Sequence, residues 1–261
     1  MKRSFAPLLF VAATLVFTVT SQAQTADILG APPYGPTHVG SRDMWDHLPR
    51  RRPELPREPR VIKEGPLAPS PEDRTAFSSF LEAKDTGLIR LLSRELMERE
   101  ANHTGKLFFT MGGPFFSFAH RTHLYGYGSD IGLEQNHLSV GFAGADFGMM
   151  TNAGDVALAE LTADDLRLQQ LDAYRPPELE DEARAEYRRS YSPEGMPFDG
   201  FAYRKQVPVE ENSTYFLRSI SYGRSDVLVG FRLVRKDPDG SVIIAWKLLK
   251  RYPVTELKHS K

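Results

Sequence analysis

The amino-acid sequence predicts an α+β fold, in which a largely antiparallel, curved β-sheet has helices packed on one side. Three observations predict this class. Helical and strand-like patterns occur in separate blocks rather than in regular βαβ alternation. The last two strand-like runs are joined by a tight turn. A Pro-rich stretch precedes the patterned part, so we expect an extended or disordered arm at residues 24–71 and a single domain at residues 72–261.

The first 23 residues have the pattern of a secretory signal peptide. Lys2 and Arg3 precede an apolar run over residues 6–19, and a small-x-small cleavage pattern follows at residues 21–23. The run is shorter than the roughly 20 residues needed to span a bilayer, so an uncleaved anchor is the weaker alternative. We therefore predict a bacterial periplasmic or secreted protein with no membrane span after cleavage.

Composition limits the kinds of site that the chain can hold. It contains no cysteine, which excludes disulfides, thiolate metal ligands and cysteine nucleophiles. After removal of residues 1–23, 31 Lys plus Arg face 34 Asp plus Glu, a net charge near −3. This balance argues against a general nucleic-acid-binding protein, because such proteins usually carry a strong basic excess.

The predicted arm contains ten of the 19 prolines. Proline fixes φ and removes a backbone donor, which favours extended, polyproline-like chain. Within the arm, Met44, Trp45 and Leu48 precede three arginines at residues 50–52. This motif could dock on a partner or lie in a groove of the chain's own domain, and the sequence leaves both open.

The domain is expected to begin with helices. Ser70 has the position of an N-cap, with Pro71 at the first helical residue and Asp73 three residues after the cap. A second helical segment is predicted after Gly87, from the spacing of Leu88, Leu92 and Leu96. Residues 106–161 are rich in glycine and β-formers and predict short strands, and further helices are predicted over residues 162–174 and 178–191.

The closing hairpin is the clearest structural prediction. Pro238 and Gly240 form a turn between two strand-like runs, residues 226–236 and 241–251. Each run places apolar residues at period two, which predicts one buried face: Val227, Val229, Phe231 and Leu233 on the first run, and Val242, Ile244, Trp246 and Leu248 on the second. We expect Trp246 to pack against the helices of residues 77–96.

The ending SDVLVGFRLVRKDPDGSVIIAWKLLKR resembles the long terminal strands of nuclear-transport-factor-like α+β domains. The resemblance covers a few dozen residues and implies a curved sheet that encloses a pocket. It brings no catalytic residue onto this chain.

The densest group of reactive side chains lies between residues 120 and 137. A metal site is disfavoured there, because a strand over residues 115–124 would point His120 and His123 to opposite faces and no HExxH motif accompanies them. The sequence also lacks a complete phosphate-binding loop or nucleophile elbow, so no cofactor is predicted and the catalytic residues, if any, stay unknown. The candidate ligand-binding residues are His120, His123, Tyr125, Tyr127, Asp130 and Glu134.

These residues predict a non-catalytic binding module for an unknown small molecule or protein partner, because aromatic side chains supply apolar contact area and polar tips for orientation. The alternative is a small-molecule hydrolase or isomerase that uses His123 with Asp130 or Glu134 as an acid–base pair.

Charge is uneven along the chain. Residues 155–199 hold twelve acidic and five basic side chains, whereas residues 215–261 hold ten basic and four acidic ones. Either the acidic helices lie close to the basic sheet, or the sheet face with Arg232 and Lys247 reads an anionic ligand.

Overall fold

The computed structural model describes residues 65–93, 95–96, 112–123, 128–142, 146–189, 195–198 and 200–258. These residues all belong to one compact unit of the chain, residues 54–261. The predicted signal peptide, the arm as far as residue 64, and the candidate residues Tyr125 and Tyr127 lie outside the described residues. No helix in the described ranges is long and apolar enough to cross a membrane.

Strands predominate in the described part of the chain. They are β1 (Thr86–Leu91), β2 (Phe115–Phe116), β3 (Ile131–Glu134), β4 (His137–Ser139), β5 (Phe147–Gly154), β6 (Met196–Phe198), β7 (Phe201–Tyr203), β8 (Gln206–Pro208), β9 (Thr214–Ser221), β10 (Ser225–Lys236) and β11 (Val242–Arg251). The helices are few and short: α1 (Pro71–Ala76), α2 (Ser78–Leu81), α3 (Gln169–Ala173) and α4 (Glu180–Arg189), with 3₁₀ turns at Leu158–Glu160 and Leu166–Leu168.

Five strands form the main sheet in the order β1-β11-β10-β9-β5, and each neighbouring pair is antiparallel. The predicted hairpin is its centre. The Asp237 N–H donates to the Ser241 carbonyl at 2.8 Å and the Gly240 N–H donates to the Asp237 carbonyl at 2.9 Å. Gly240 has φ +82°, a backbone conformation that glycine adopts without steric cost. The antiparallel α+β character predicted from the sequence is thus confirmed.

One face of the main sheet packs against a second antiparallel sheet, β2-β3-β4-β8. All eight apolar residues predicted for the inner face of the hairpin are buried in the core between the sheets. The second sheet and its loops contribute Phe116, Phe118, Ile131, Leu133, Leu138 and Val207. The space between the sheets is therefore filled by side chains.

The prediction that Trp246 packs against the helices of residues 77–96 was wrong. Its ring lies 6.1 Å from that of Phe116 and 5.4 Å from that of Phe118, centroid to centroid, so it faces the second sheet. The helical interpretation fails for residues 88–91 for a related reason, whereas residues 95 and 96 are helical. Residues 86–91 are strand β1, which pairs with β11 and places Gly87 directly opposite Trp246.

The other face of the main sheet is covered mainly by irregular chain and short turns. Leu158, Leu161, Leu168 and Leu171 form a second buried cluster with Phe216 of β9 and other sheet residues. The helix predicted over residues 162–174 is a 3₁₀ turn followed by the five-residue α3. The predicted start of α1 is confirmed, because Ser70 and Asp73 form a reciprocal capping box.

Candidate functional site

A tight turn, rather than a continuous strand, carries His120. Ser117 and Thr122 exchange backbone hydrogen bonds of 2.8 and 3.3 Å, so the chain reverses between them. The His120 N–H donates to the Ser117 hydroxyl at 3.3 Å. The turn thereby carries His120 toward one end of the main sheet, where the loop between β9 and β10 and the end of β11 also lie.

The His120 pocket has a volume of ≈ 180 Å³. It lies where that turn meets the start of β10 and the residues after β11. Its walls are Ala119, His120, Arg224, Ser225, Asp226, Val227, Arg251, Tyr252 and Val254.

The pocket carries net positive charge. Burial lowers the pKa of His120, and the positive charges of Arg251 and Arg224 lower it further. The Arg251 Nη2 donates to the Ala119 carbonyl at 3.1 Å and so holds its cation beside the turn. Among the described residues of the walls, the one carboxylate is Asp226, and it pairs with Arg218 at 2.5 and 2.8 Å.

Two buried polar atoms in the pocket walls find no hydrogen-bond partner in the described part of the chain. They are His120 Nε2 and Ser225 Oγ. Buried polar groups are normally paired, since each unpaired group costs free energy. Such atoms are common where a ligand or water completes the network.

Asp130 lies beneath the turn and fixes its shape. Its Oδ2 accepts from Ser117 Oγ at 3.1 Å and from the Ala119 N–H at 3.0 Å, and its Oδ1 accepts from Ser219 Oγ at 2.7 Å. Burial raises the pKa of Asp130, while these hydrogen bonds oppose the rise. Asp130 is fully buried, so its role is to tie the turn that bears His120 to β9.

Asp146 supports the wall formed by the turn between β9 and β10. Nothing in the sequence marked it clearly as a site residue. It accepts from the Tyr222 N–H at 2.9 Å, in the turn between β9 and β10 that carries Arg224. Burial raises the pKa of Asp146 to about 7, against the opposing influence of the Tyr222 and Ser221 hydrogen bonds and of the Arg224 charge. The carboxyl group therefore titrates close to neutral pH.

His123 belongs to the core and not to the pocket. Its Nδ1 lies 3.0 Å from the Phe115 carbonyl and its ring packs edge-to-face on Phe116 at 5.2 Å. Burial lowers the pKa of His123 to about 4. Glu134, half-buried at the end of β3, does not line the pocket either. Among the described residues, neither His120 nor His123 hydrogen-bonds to a carboxylate.

The sheet face with Arg232 and Lys247 is occupied by the chain itself. Arg232 pairs with Asp155 at 2.7 Å, and Lys247 donates to the Leu161 carbonyl at 2.7 Å. Lys250 likewise pairs with Asp172 at 2.5 Å. Of the two interpretations of the uneven charge, acidic chain lying against a basic sheet agrees with these contacts. In the described ranges, no group of three or more His, Asp or Glu side chains could hold a metal ion.

Comparisons with models of protein families, with curated proteins and with solved structures find no match to this chain. The resemblance of its ending to nuclear-transport-factor-like domains gains no support from them.

Proposed function

We propose that this chain acts, after export, as a non-catalytic module that binds a small anionic ligand in the His120 pocket. The observation that carries the proposal is that Arg224 and Arg251 line the same pocket as a histidine whose buried Nε2 lacks a partner in the described residues. Guanidinium groups present planar sets of donors that match carboxylate and phosphate oxygens.

The charges of the pocket favour an anion over a cation. Asp226 is already neutralised by Arg218, while Arg224 and Arg251 add two positive charges to the described walls, the first of them also acting on the carboxyl group of Asp146. A bound carboxylate or phosphate would be attracted by both guanidinium groups and could accept from the Ser225 hydroxyl. A cation would meet two like charges at close range, which is unfavourable.

The size of the pocket favours a small ligand. Pockets for drug-sized molecules usually occupy about 300–1,000 Å³, whereas the His120 pocket has ≈ 180 Å³. Inorganic phosphate and mono-, di- or tricarboxylates of a few carbon atoms are of suitable size. Tyr125 and Tyr127, which were predicted from the sequence to line a ligand site, lie outside the described residues, and the proposal does not depend on them.

Isothermal titration calorimetry of residues 24–261 with phosphate, acetate, succinate and citrate tests the proposal. We expect saturable binding of at least one of these anions, weakening as salt screens the arginines. Arg251→Gln should weaken that binding at least about tenfold, because a charge-assisted hydrogen bond contributes about 1.5–3 kcal/mol.

Arg188→Gln is the matched control, since Arg188 is an exposed arginine on α4 outside the pocket, and this variant should bind as the wild type does. Thermal melts of both variants verify that they fold. Absence of binding by all four anions, or equal affinity of Arg251→Gln and the wild type, would contradict the proposal. Turnover of a bound ligand, followed by NMR in the same mixtures, would instead favour the hydrolase or isomerase alternative.

A further inference from the structure

Val254 is an exposed apolar side chain in the wall of the His120 pocket. It is 44% exposed, and Leu179, which does not line the pocket, is the other large apolar side chain exposed in the described part of the chain. A single exposed valine on an open surface is normal. This one, however, lies in a pocket that also holds two arginines, so the pocket offers both an apolar contact and positive charge.

The chain on both sides of Val254 is held in place by backbone hydrogen bonds. The Tyr252 N–H donates to the Asp226 carbonyl at 2.9 Å, and the Gly223 N–H donates to the Thr255 carbonyl at 2.9 Å. These bonds fix the segment against the start of β10 and the turn between β9 and β10. Val254 is therefore part of a preformed wall, which binds a ligand without the cost of ordering a loose segment.

Other segments of the chain add apolar surface to the same pocket. Ala119 comes from the turn that carries His120, and Val227 of β10 is only 1% exposed. Tyr252 donates its hydroxyl to Asp172, which is not in the walls, so its polar end is engaged outside the pocket. The walls thus combine an apolar part from three segments with the arginines and the Ser225 hydroxyl.

We propose that the ligand of the His120 pocket is a short aliphatic carboxylate, an inference that rests on the proposed anion binding and narrows the class of ligand. Its carboxylate pairs with the arginines of the walls and accepts from the Ser225 hydroxyl, whose buried Oγ lacks a partner among the described residues. Its hydrocarbon chain contacts the apolar wall residues, with Val254 as the most exposed of them.

Inorganic phosphate fits these walls less well. It is polar on every side, so oxygens facing the apolar wall would lose water without gaining a hydrogen bond, which costs free energy. Arg224 also acts on the carboxyl group of Asp146, so part of its charge is already compensated and a singly charged anion is favoured over a doubly charged one. The volume of ≈ 180 Å³ keeps the hydrocarbon chain short.

Calorimetric titration of residues 24–261 with acetate, butyrate and phosphate tests the proposal. Each methylene group removed from water increases affinity about fourfold, and butyrate has two more than acetate. Since Val254 is only partly covered by the chain itself, we expect butyrate to bind at least about fivefold more tightly than acetate. Phosphate should bind less tightly than butyrate.

Three variants locate the source of this preference. Val254→Ser removes the apolar contact and should bring the affinities for butyrate and acetate within about twofold of each other, whereas Val254→Ile should keep the preference for butyrate. Leu179→Ser is the matched control, since it removes the exposed apolar side chain outside the pocket, and it should also keep the preference. Thermal melts verify that each variant folds.

The possible outcomes separate this inference from anion binding itself. Equal affinities of the wild type for butyrate and acetate, tighter binding of phosphate than of butyrate, or a preference for butyrate that persists in Val254→Ser would overturn the inference while anion binding stands. Absence of binding by acetate, butyrate and phosphate would contradict anion binding and this inference together.

Discussion

Replacing Gly87 by alanine tests the register of β1 against β11, in which Gly87 lies opposite Trp246. A Cβ at residue 87 would lie 2.5 Å from Cε2 and Cζ2 of Trp246, far inside normal contact. The indole cannot easily yield, because it is 3% exposed and packed on Phe116 and Phe118. Overpacking of this kind costs about 1–3 kcal/mol.

Without the clash at Trp246 the same substitution would have the opposite sign, because alanine in place of glycine in an ordinary backbone conformation stabilises a protein by about 0.4–1 kcal/mol. Urea denaturation followed by circular dichroism measures the difference, and we expect a lower midpoint for Gly87→Ala with an unchanged slope.

The double variant Gly87→Ala/Trp246→Leu is the control for this prediction. Removing the indole should make the added methyl group neutral or stabilising, with a coupling of at least about 1 kcal/mol between the two sites. A Gly87→Ala midpoint at or above that of the wild type would refute the strand register.

Three further predictions concern the core and its charges. Trp246→Ala should lower the free energy of unfolding by about 3–5 kcal/mol, measured by urea denaturation, because it leaves a cavity between the sheets. In the same assay Gly240→Val should destabilise the turn, since a β-branched residue tolerates φ +82° poorly, whereas Lys258→Ala at an exposed ion pair should be nearly neutral. Folded protein keeps the Asp146 proton between pH 3.8 and about 7, whereas the unfolded chain releases it. The free energy of unfolding of the wild type should therefore fall as pH rises over this range, relative to that of Asp146→Asn.

The hairpin could be predicted from sequence because its signals are local. The turn residues and the period-two apolar pattern lie within 26 residues and agree with one another. Strand β1 could not, because Leu88 packs on one face of the main sheet while Ile89 and Leu91 pack on the other. A strand buried on both faces loses its alternation, and a leucine at every fourth residue then fits a helix equally well.

The pocket was predictable only in part, because its residues are distant in sequence. Of the four candidate residues in the described part of the chain, His120 lines its walls and Asp130 lies beneath it as a support. Arg224, in the turn between β9 and β10, and Arg251, at the end of β11, lie more than 100 residues further along the chain. The basic excess of residues 215–261 indicated that arginines could bind an anion. The prediction placed this role on Arg232 and Lys247, which lie on a sheet face that the chain itself covers.

The pKa of His120 with and without anion, measured by NMR, tests anion binding in the pocket most directly. In the free protein we expect this pKa below its usual value near 6.5, because Arg251 and Arg224 oppose a third positive charge and burial disfavours it. A bound carboxylate or phosphate would compensate the arginines, so the pKa should rise on titration with the anion that calorimetry identifies. The exposed His137, which does not line the pocket, should keep its resonances unchanged. A His120 pKa that stays constant at saturating anion would contradict binding at this site.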